Sequence, residues 1–195
     1  LPSVKYTFWH QLGLDSWSKD LLEDIAVRNT KCIIANAPNG IEIFKKRNSG
    51  SRAAKYYILP QYVSIPFKNL DSEEIKQRLG IAPNHLVIGM IAHFRPEKLQ
   101  FLLVDAFVQL ARTYSHISLV FLGGFHQESF DRIKDISVCN NLEDRIIVIH
   151  DELVEDILTI LDIGVLLSEI EGTPNAVLEY MLYGLAILAT NHPGC

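Results

Sequence analysis

Short, continuous apolar runs alternate along the chain with longer stretches whose apolar positions recur every three or four residues. The first pattern is that of a strand covered on both faces, the second that of an amphipathic helix. Val4–His10, Lys31–Asn36 and Tyr56–Pro60 read as strands, with helices predicted over Trp17–Asn29, capped by Asp15 or Ser16, and over Ala37–Arg47. The alternation then pauses, and Val63–Asn69, with Pro66 in its middle, reads as a linker. It resumes with a helix opened by Asp71 or Ser72, given capping-box character by Glu73 or Glu74 and ended by Gly80. Further strands are predicted over Leu86–Ala92, Ile117–Leu122, Arg145–His150, Ile163–Leu167 and Ala186–Ala189. Between them lie helices predicted over Lys98–Tyr114, Gln127–Cys139, Leu153–Leu161 and Pro174–Tyr183.

Strands alternating with helices make βαβ units and therefore parallel sheets, so the expected class is α/β. The pause near residue 66 divides the chain into two lobes, 1–66 and 67–195. Their charges differ in sign: the first carries nine Lys/Arg and five Asp/Glu, the second nine and eighteen. The acidic majority argues against a nucleic-acid groove over most of the chain. A length of 195 residues with 48% hydrophobic and 21% charged positions is globular rather than disordered.

No apolar run approaches the ~18 residues of a membrane helix, and the start Leu1-Pro2-Ser3 has no signal-peptide pattern. With no initiator Met, and Cys195 following a Pro-Gly in mid-pattern, the chain reads as an internal piece of a longer protein. Cys32, Cys139 and Cys195 form an odd set without CxxC spacing, which fits a reducing cytoplasm and supports neither a zinc site nor a disulfide framework. Lys45, Lys46, Arg47, Arg52 and Lys55 surround Ser49-Gly50-Ser51. Such a cluster is a solvated helix end or, since anionic headgroups attract it, a peripheral contact with the inner face of a membrane.

Ligands of open α/β sheets bind beyond the carboxyl ends of the strands, so candidate chemistry lies in the loops that follow them. One such loop runs Ser168-Glu169-Ile170-Glu171-Gly172-Thr173-Pro174-Asn175 into a helix that Pro174 can open. Gly172 allows close backbone approach, and free amides at a helix start favour an anion such as a diphosphate. Glu179 lies five residues beyond Pro174, roughly 7–8 Å up the helix axis. Glu171 and Glu179 could hold hydroxyls on either side of that anion; the same spacing also suits a capped helix with a solvated Glu near each end. In Ala92-His93-Phe94-Arg95-Pro96-Glu97-Lys98, Arg95 and Lys98 are natural partners of phosphate oxygens, although an ordinary solvated loop has the same composition. Gly123-Gly124 follows another strand but is not GxGxxG, so no dinucleotide fingerprint supports an NAD-dependent oxidoreductase. His10 ends the first strand, and a lone histidine is more often structural than catalytic.

Taken together, these pieces resemble a known family. The stretch EGTPNAVLEYMLYGLAILAT, from Glu171 to Thr190, is similar to the signature of the retaining glycosyltransferases of family 4, which have the GT-B fold. VIGMIAHFRPEKLQFLLVDAF, from Val87 to Phe107, resembles that family's phosphate-binding strand, loop and helix, and the order of the intervening strands agrees. Residues 86–195 carry the resemblance, while KCIIANA and YYILPQYV resemble the end of the family's acceptor lobe more diffusely. The resemblance implies an acceptor-binding lobe ending near residue 66 and a nucleotide-sugar-binding lobe after it. It implies transfer of a sugar from a nucleoside-diphosphate sugar to a glycan or lipid-linked acceptor, in cell-surface polysaccharide synthesis, without a metal or other cofactor.

By the same resemblance Glu171 would contact the transferred sugar, with Gly172, Thr173, Pro174 and Asn175 helping to hold sugar and diphosphate. Glu179 would bind the ribose hydroxyls, Lys98 would neutralise the departing diphosphate, and His10 would face the sugar. The sequence departs from the family pattern where Ala92-His93 replaces the usual Gly-Arg, leaving Arg95 as a candidate replacement guanidinium. Leu99 stands where Gly is common, and Leu185-Ala186 replaces the usual Gly-x-Pro proline. The altered Ala92-His93 loop keeps one alternative in view, a non-catalytic GT-B-like module that binds nucleotide sugar; a GT-B-fold epimerase is another, which product analysis separates from a transferase.

Overall fold

The computed structural model describes residues 8–11, 25, 29–47, 55–66, 70–124, 126–169 and 171–191. The helix expected over Trp17–Asn29 lies almost wholly outside them, as do Arg52 and Cys195. The chain divides into two compact units, one formed by 1–62, 170–174 and 191–195 and the other by 63–169 and 175–190. Within the first unit β1 (Phe8–Gln11), β2 (Cys32–Ala35) and β3 (Lys55–Ile58) form a parallel sheet in that order. Helix α1 (Pro38–Arg47) follows β2 and buries Ile41 and Phe44.

The second unit holds a five-stranded parallel sheet ordered β6-β5-β4-β7-β8. Its strands are β4 (Leu86–Ile91), β5 (Ile117–Leu122), β6 (Ile146–Ile149), β7 (Ile163–Leu166) and β8 (Ala186–Ala189). Side chains alternate across the sheet, so β5 sends Leu119 and Phe121 into one apolar cluster and Val120 and Leu122 into the other. Helices α3 (Gln100–Ala111) and α4 (Gln127–Asn140) cover the first face with Val104, Phe107 and Ile133. Helices α2 (Ser72–Arg78), α5 (Val154–Ile160) and α6 (Asn175–Leu182) cover the second with Ile75, Ile157, Leu158 and Tyr180. Covering both faces is why the central strands are apolar almost throughout, the buried Ser118 of β5 being the exception. Among the described residues, β3 and β8 lie at the margins of their sheets and carry exposed Tyr57, Ile58, Ile187 and Leu188.

Local signals set the helix ends. Asp71 caps α2 by accepting from the amides of Glu73 and Glu74 at 2.9 and 3.4 Å. Gly80, at φ +72°, closes the helix in a Schellman motif, with Ile81 N–H reaching Lys76 O and Gly80 N–H reaching Gln77 O. Gly184 and Asn141 close α6 and α4 the same way, each in the left-handed region. One expected start is corrected. A helix over Lys98–Tyr114 does not begin at Lys98: Pro96–Lys98 form a single 3-10 turn, Leu99 adopts φ 49° and ψ 33°, and α3 starts at Gln100. The chain reverses through a left-handed residue there, which a leucine adopts at a cost of about 1–2 kcal/mol.

Candidate functional site

In the five-stranded sheet β4 comes first and lies centrally, with β5 and β6 on one side and β7 and β8 on the other. The strand order therefore reverses between β4 and β7, the position at which open α/β sheets leave a crevice beyond their carboxyl ends. The paired register of these two strands covers Ile88↔Ile163 and Gly89↔Gly164. Past it, the Tyr180 hydroxyl accepts from the Ile91 amide at 2.8 Å and donates to the Val165 carbonyl at 3.3 Å. Tyr180 is wholly buried, its ring sits against Gly164 where a Cβ would come within 2.4 Å, and burial pushes its pKa up. It thus satisfies the backbone of both strands as they part.

Three loops meet at that end of the sheet. The loop after β4 is tied to the loop after β7 by the Glu169 amide, which donates to Glu97 O at 2.9 Å. Thr190 Oγ1 fixes the start of the β7 loop by accepting from Ser168 N at 3.1 Å and donating to Ser168 O at 2.8 Å. The third loop, Gly123-Gly124 after β5, packs so tightly on the first that a Cβ at 123 would lie 2.1 Å from Ala92 O. The Gly124 amide donates to His93 Nδ1 at 3.3 Å, and almost fully buried Gln100 donates from Nε2 to His93 O at 2.9 Å.

Within this unit Lys98 is half-buried in the 3-10 turn, its amide bonded to Arg95 O at 3.0 Å. Asn175, exposed, opens α6, and Glu179 stands half-buried one turn later, its pKa raised by burial. The Arg95 guanidinium is 63% exposed and lies 3.9 Å from the Glu97 carboxylate. Arg95 lines a cavity of about 470 Å³ with Phe101, His126, Glu128 and Arg132 at the starts of α3 and α4. A second cavity, about 400 Å³, lies between α4 and edge strand β6 and contains none of the sequence-predicted residues.

The other predicted residues group with the first unit. His10 is exposed on β1, in register with Ile34. Glu171, Gly172 and Pro174 are buried, and Thr173 Oγ1 donates to Asn36 O, just after β2, at 3.2 Å. Asn36, itself buried, also donates from Nδ2 to Gln61 Oε1 at 3.1 Å. Gln100, Tyr180 and Asn36 were not legible as site-builders. The signal available for each was a polar group in an otherwise apolar setting. Among the described residues no cluster of three or more His, Cys, Asp or Glu could hold a metal ion, and no helix is long and apolar enough to cross a membrane.

The fold is shared with solved glycosyltransferases. Anabaena HepE, solved in complex with UDP and glucose, matches with TM-score 0.77 and 20% identity over 97% of this chain and 54% of its own. A glycosyltransferase from Rickettsia africae matches with TM-score 0.76 and 16% identity, covering 96% and 52%. The pneumococcal O-GlcNAc transferase GtfA, in complex with UDP and GlcNAc, matches with TM-score 0.71 and 13% identity, covering 95% and 37%. The chain therefore spans about half the length, or less, of these solved structures. At such identities the likeness shows the fold, which is the GT-B type of α/β architecture expected from the sequence. No curated protein sequence matches the chain. The sequence pattern of the family described as glycosyl transferases group 1 does match, over residues 71–195, and the chain belongs to that family.

Proposed function

We propose that this chain is part of a retaining glycosyltransferase of family 4 that moves a sugar from a nucleoside-diphosphate sugar to a glycan or lipid-linked acceptor. The observation that carries the reading is the group 1 family match over residues 71–195, which includes the switch-point loops and the segment from Glu171 to Glu179. Support also comes from HepE and GtfA, both solved with UDP and a sugar. In this reading residues 67–195 bind the nucleotide sugar and residues 1–66 contribute to the acceptor side.

The roles follow the family pattern residue by residue. Glu179 accepts hydrogen bonds from the ribose hydroxyls, and Lys98, with Arg95 in support, neutralises the diphosphate as it leaves. Glu171 and the backbone of Gly172, Thr173, Pro174 and Asn175 hold the transferred sugar, with His10 acting on the same sugar. Charge neutralisation by cationic side chains and helix amides needs no metal. A cytoplasmic enzyme of cell-surface polysaccharide synthesis, touching the inner face of the membrane through its basic cluster, is the setting we favour.

Thermal unfolding with UDP, GDP, ADP and NAD, on the protein and its Glu179→Ala variant, tests this reading. Stabilisation by one nucleoside diphosphate, lost in the variant, is the expected result; a hundredfold excess over Kd gives about 2.7 kcal/mol. Stabilisation by NAD alone would replace it with a dinucleotide enzyme. Binding of the nucleotide sugar without transfer would instead favour a non-catalytic module, the alternative that the Ala92-His93 departure keeps open.

A further inference from the structure

Residues 171–174 lie outside any helix or strand, so their placement depends on what they are tied to rather than on a ladder of their own. They fold as part of the first unit, whereas Asn175 and the rest of α6 fold as part of the second. A side-chain bond links them to the first unit's sheet: Thr173 Oγ1 donates at 3.2 Å to the carbonyl of Asn36, 137 residues away. That carbonyl sits at a well-braced corner. The Leu59 amide donates to Ala35 O at 2.8 Å, so the β2–β3 pairing runs up to the residue before it. The buried Asn36 side chain donates from Nδ2 to Gln61 Oε1 at 3.1 Å, which joins the same corner to the chain beyond β3. Glu171 is a buried carboxylate, and a single residue, the buried Gly172, separates it from Thr173. The tie at Thr173 therefore limits where the Glu171 carboxylate can stand.

We propose that Thr173 is a positioning residue for the sugar: its hydroxyl, anchored on Asn36 O, sets the Glu171 carboxylate, and Asn36 with Gln61 keeps that anchor in place. The inference rests on the nucleotide-sugar reading above and adds a division within it. Glu171, the sugar residue, takes its position from the sheet of β1, β2 and β3, while Glu179, the ribose residue, is carried by α6 of the other unit. A change at Thr173 is then felt by the sugar and not by the nucleotide. A threonine hydroxyl has one proton, and here it is committed to a carbonyl, so the group acts through Glu171 rather than as a donor to the ligand.

The test is titration calorimetry on the full-length protein with UDP-glucose, UDP-GlcNAc, GDP-mannose and ADP-glucose, each compared with its nucleoside diphosphate. Thr173→Val, which keeps the shape and loses the hydroxyl, is expected to weaken the nucleotide sugar about fivefold to twentyfold and the matching diphosphate less than about twofold. Thr173→Ser keeps the donor and recovers most of that loss. In a double-mutant cycle with Glu171→Gln, Thr173→Val adds little, because its effect runs through that carboxylate. A ratio of the two affinities that is unchanged in Thr173→Val would overturn the inference while leaving the donor-site reading intact. Equal losses for diphosphate and nucleotide sugar would also overturn it, marking the bond as a general support of the fold. Fully additive losses in the cycle would overturn it as well, by making Thr173 a direct contact of the sugar. No binding of any of these compounds by the unaltered protein would overturn the donor-site reading itself, and this inference with it.

Discussion

At the N-terminal end of the five-stranded sheet, Arg145 donates to three backbone carbonyls, those of Ile117, Ala111 and Tyr114, at 2.9, 3.4 and 2.6 Å. Beside it Lys76 donates to Pro83 O and His85 O, Asp162 accepts from the Val87 amide at 2.7 Å, and His85 is bonded to fully buried Ser118 at 2.8 Å. At the opposite end the strands finish in loops that are fixed largely by their own backbone and by small residues. There the Glu169 amide meets Glu97 O, and Gly123-Gly124 packs on Ala92-His93. The two ends carry similar residue types, yet at the first they close off backbone ends, while at the second His93 is held with an edge exposed. A charged or imidazole side chain is thus informative about function according to what it is tied to, and its type alone says little.

The sharpest way to break the upper end is Gly123→Ala. The added methyl would sit 2.1 Å from the Ala92 carbonyl, which is backbone and cannot rotate away. We expect a loss of about 3 kcal/mol, at the upper end for forced overpacking, together with loss of nucleotide-induced stabilisation. Unfolding melts with and without the diphosphate read both quantities. An unchanged melting temperature would mean that the two loops are not locked together.

The lower end gives the converse. Arg145→Ala strips three carbonyls of their donor and removes the guanidinium from over the Phe107 ring, so a loss of about 2 kcal/mol is expected, with nucleotide affinity unchanged. The pH profile sharpens the comparison. His85 has its pKa lowered by burial first, then by Arg145, His116 and Lys76. A base with a depressed folded pKa holds fewer protons folded than unfolded, so its contribution is present above the ordinary value of 6.5 and is lost as pH falls below it. Removing Arg145 takes away one cause, and the loss on acidification becomes shallower.

Much of this frame is legible in the sequence because its signals are local. Asp71 and Gly80 announce the two ends of α2 within ten residues of each other, and each acts through bonds to its near neighbours. The alternation of apolar runs and amphipathic stretches likewise carries the α/β class, since both periods are properties of single elements. What escapes is non-local or exceptional. The Gly124–His93 bond joins residues 31 apart, and Tyr180 serves Ile91 from 89 positions away. Leu99 escapes for another reason: leucine favours helix, and only the tertiary demand for a reversal before α3 places it in the left-handed region.

The smallest effect expected on stability separates function from folding at Glu179. Burial raises its pKa, so the folded state holds the proton more tightly than the unfolded chain does. The sign follows from that difference. The contribution to stability is fully present below the ordinary carboxyl value of 4.5 and is lost as pH rises through the raised folded value, leaving a penalty at neutral pH. Glu179→Gln removes the charge and the penalty together. Because the side chain is only half-buried and solvent screens it, the gain is small, about 1–2 °C in melting temperature at pH 7, and it vanishes near pH 4. The same variant is expected to bind the nucleoside diphosphate less well, since a neutral amide is a poorer acceptor for two ribose hydroxyls than a carboxylate. A residue that weakens the fold slightly while strengthening ligand binding is under a demand other than packing. If Glu179→Gln instead lowers the melting temperature at pH 7 and leaves nucleotide affinity intact, Glu179 belongs with the structural side chains of the lower end, and the ribose assignment falls.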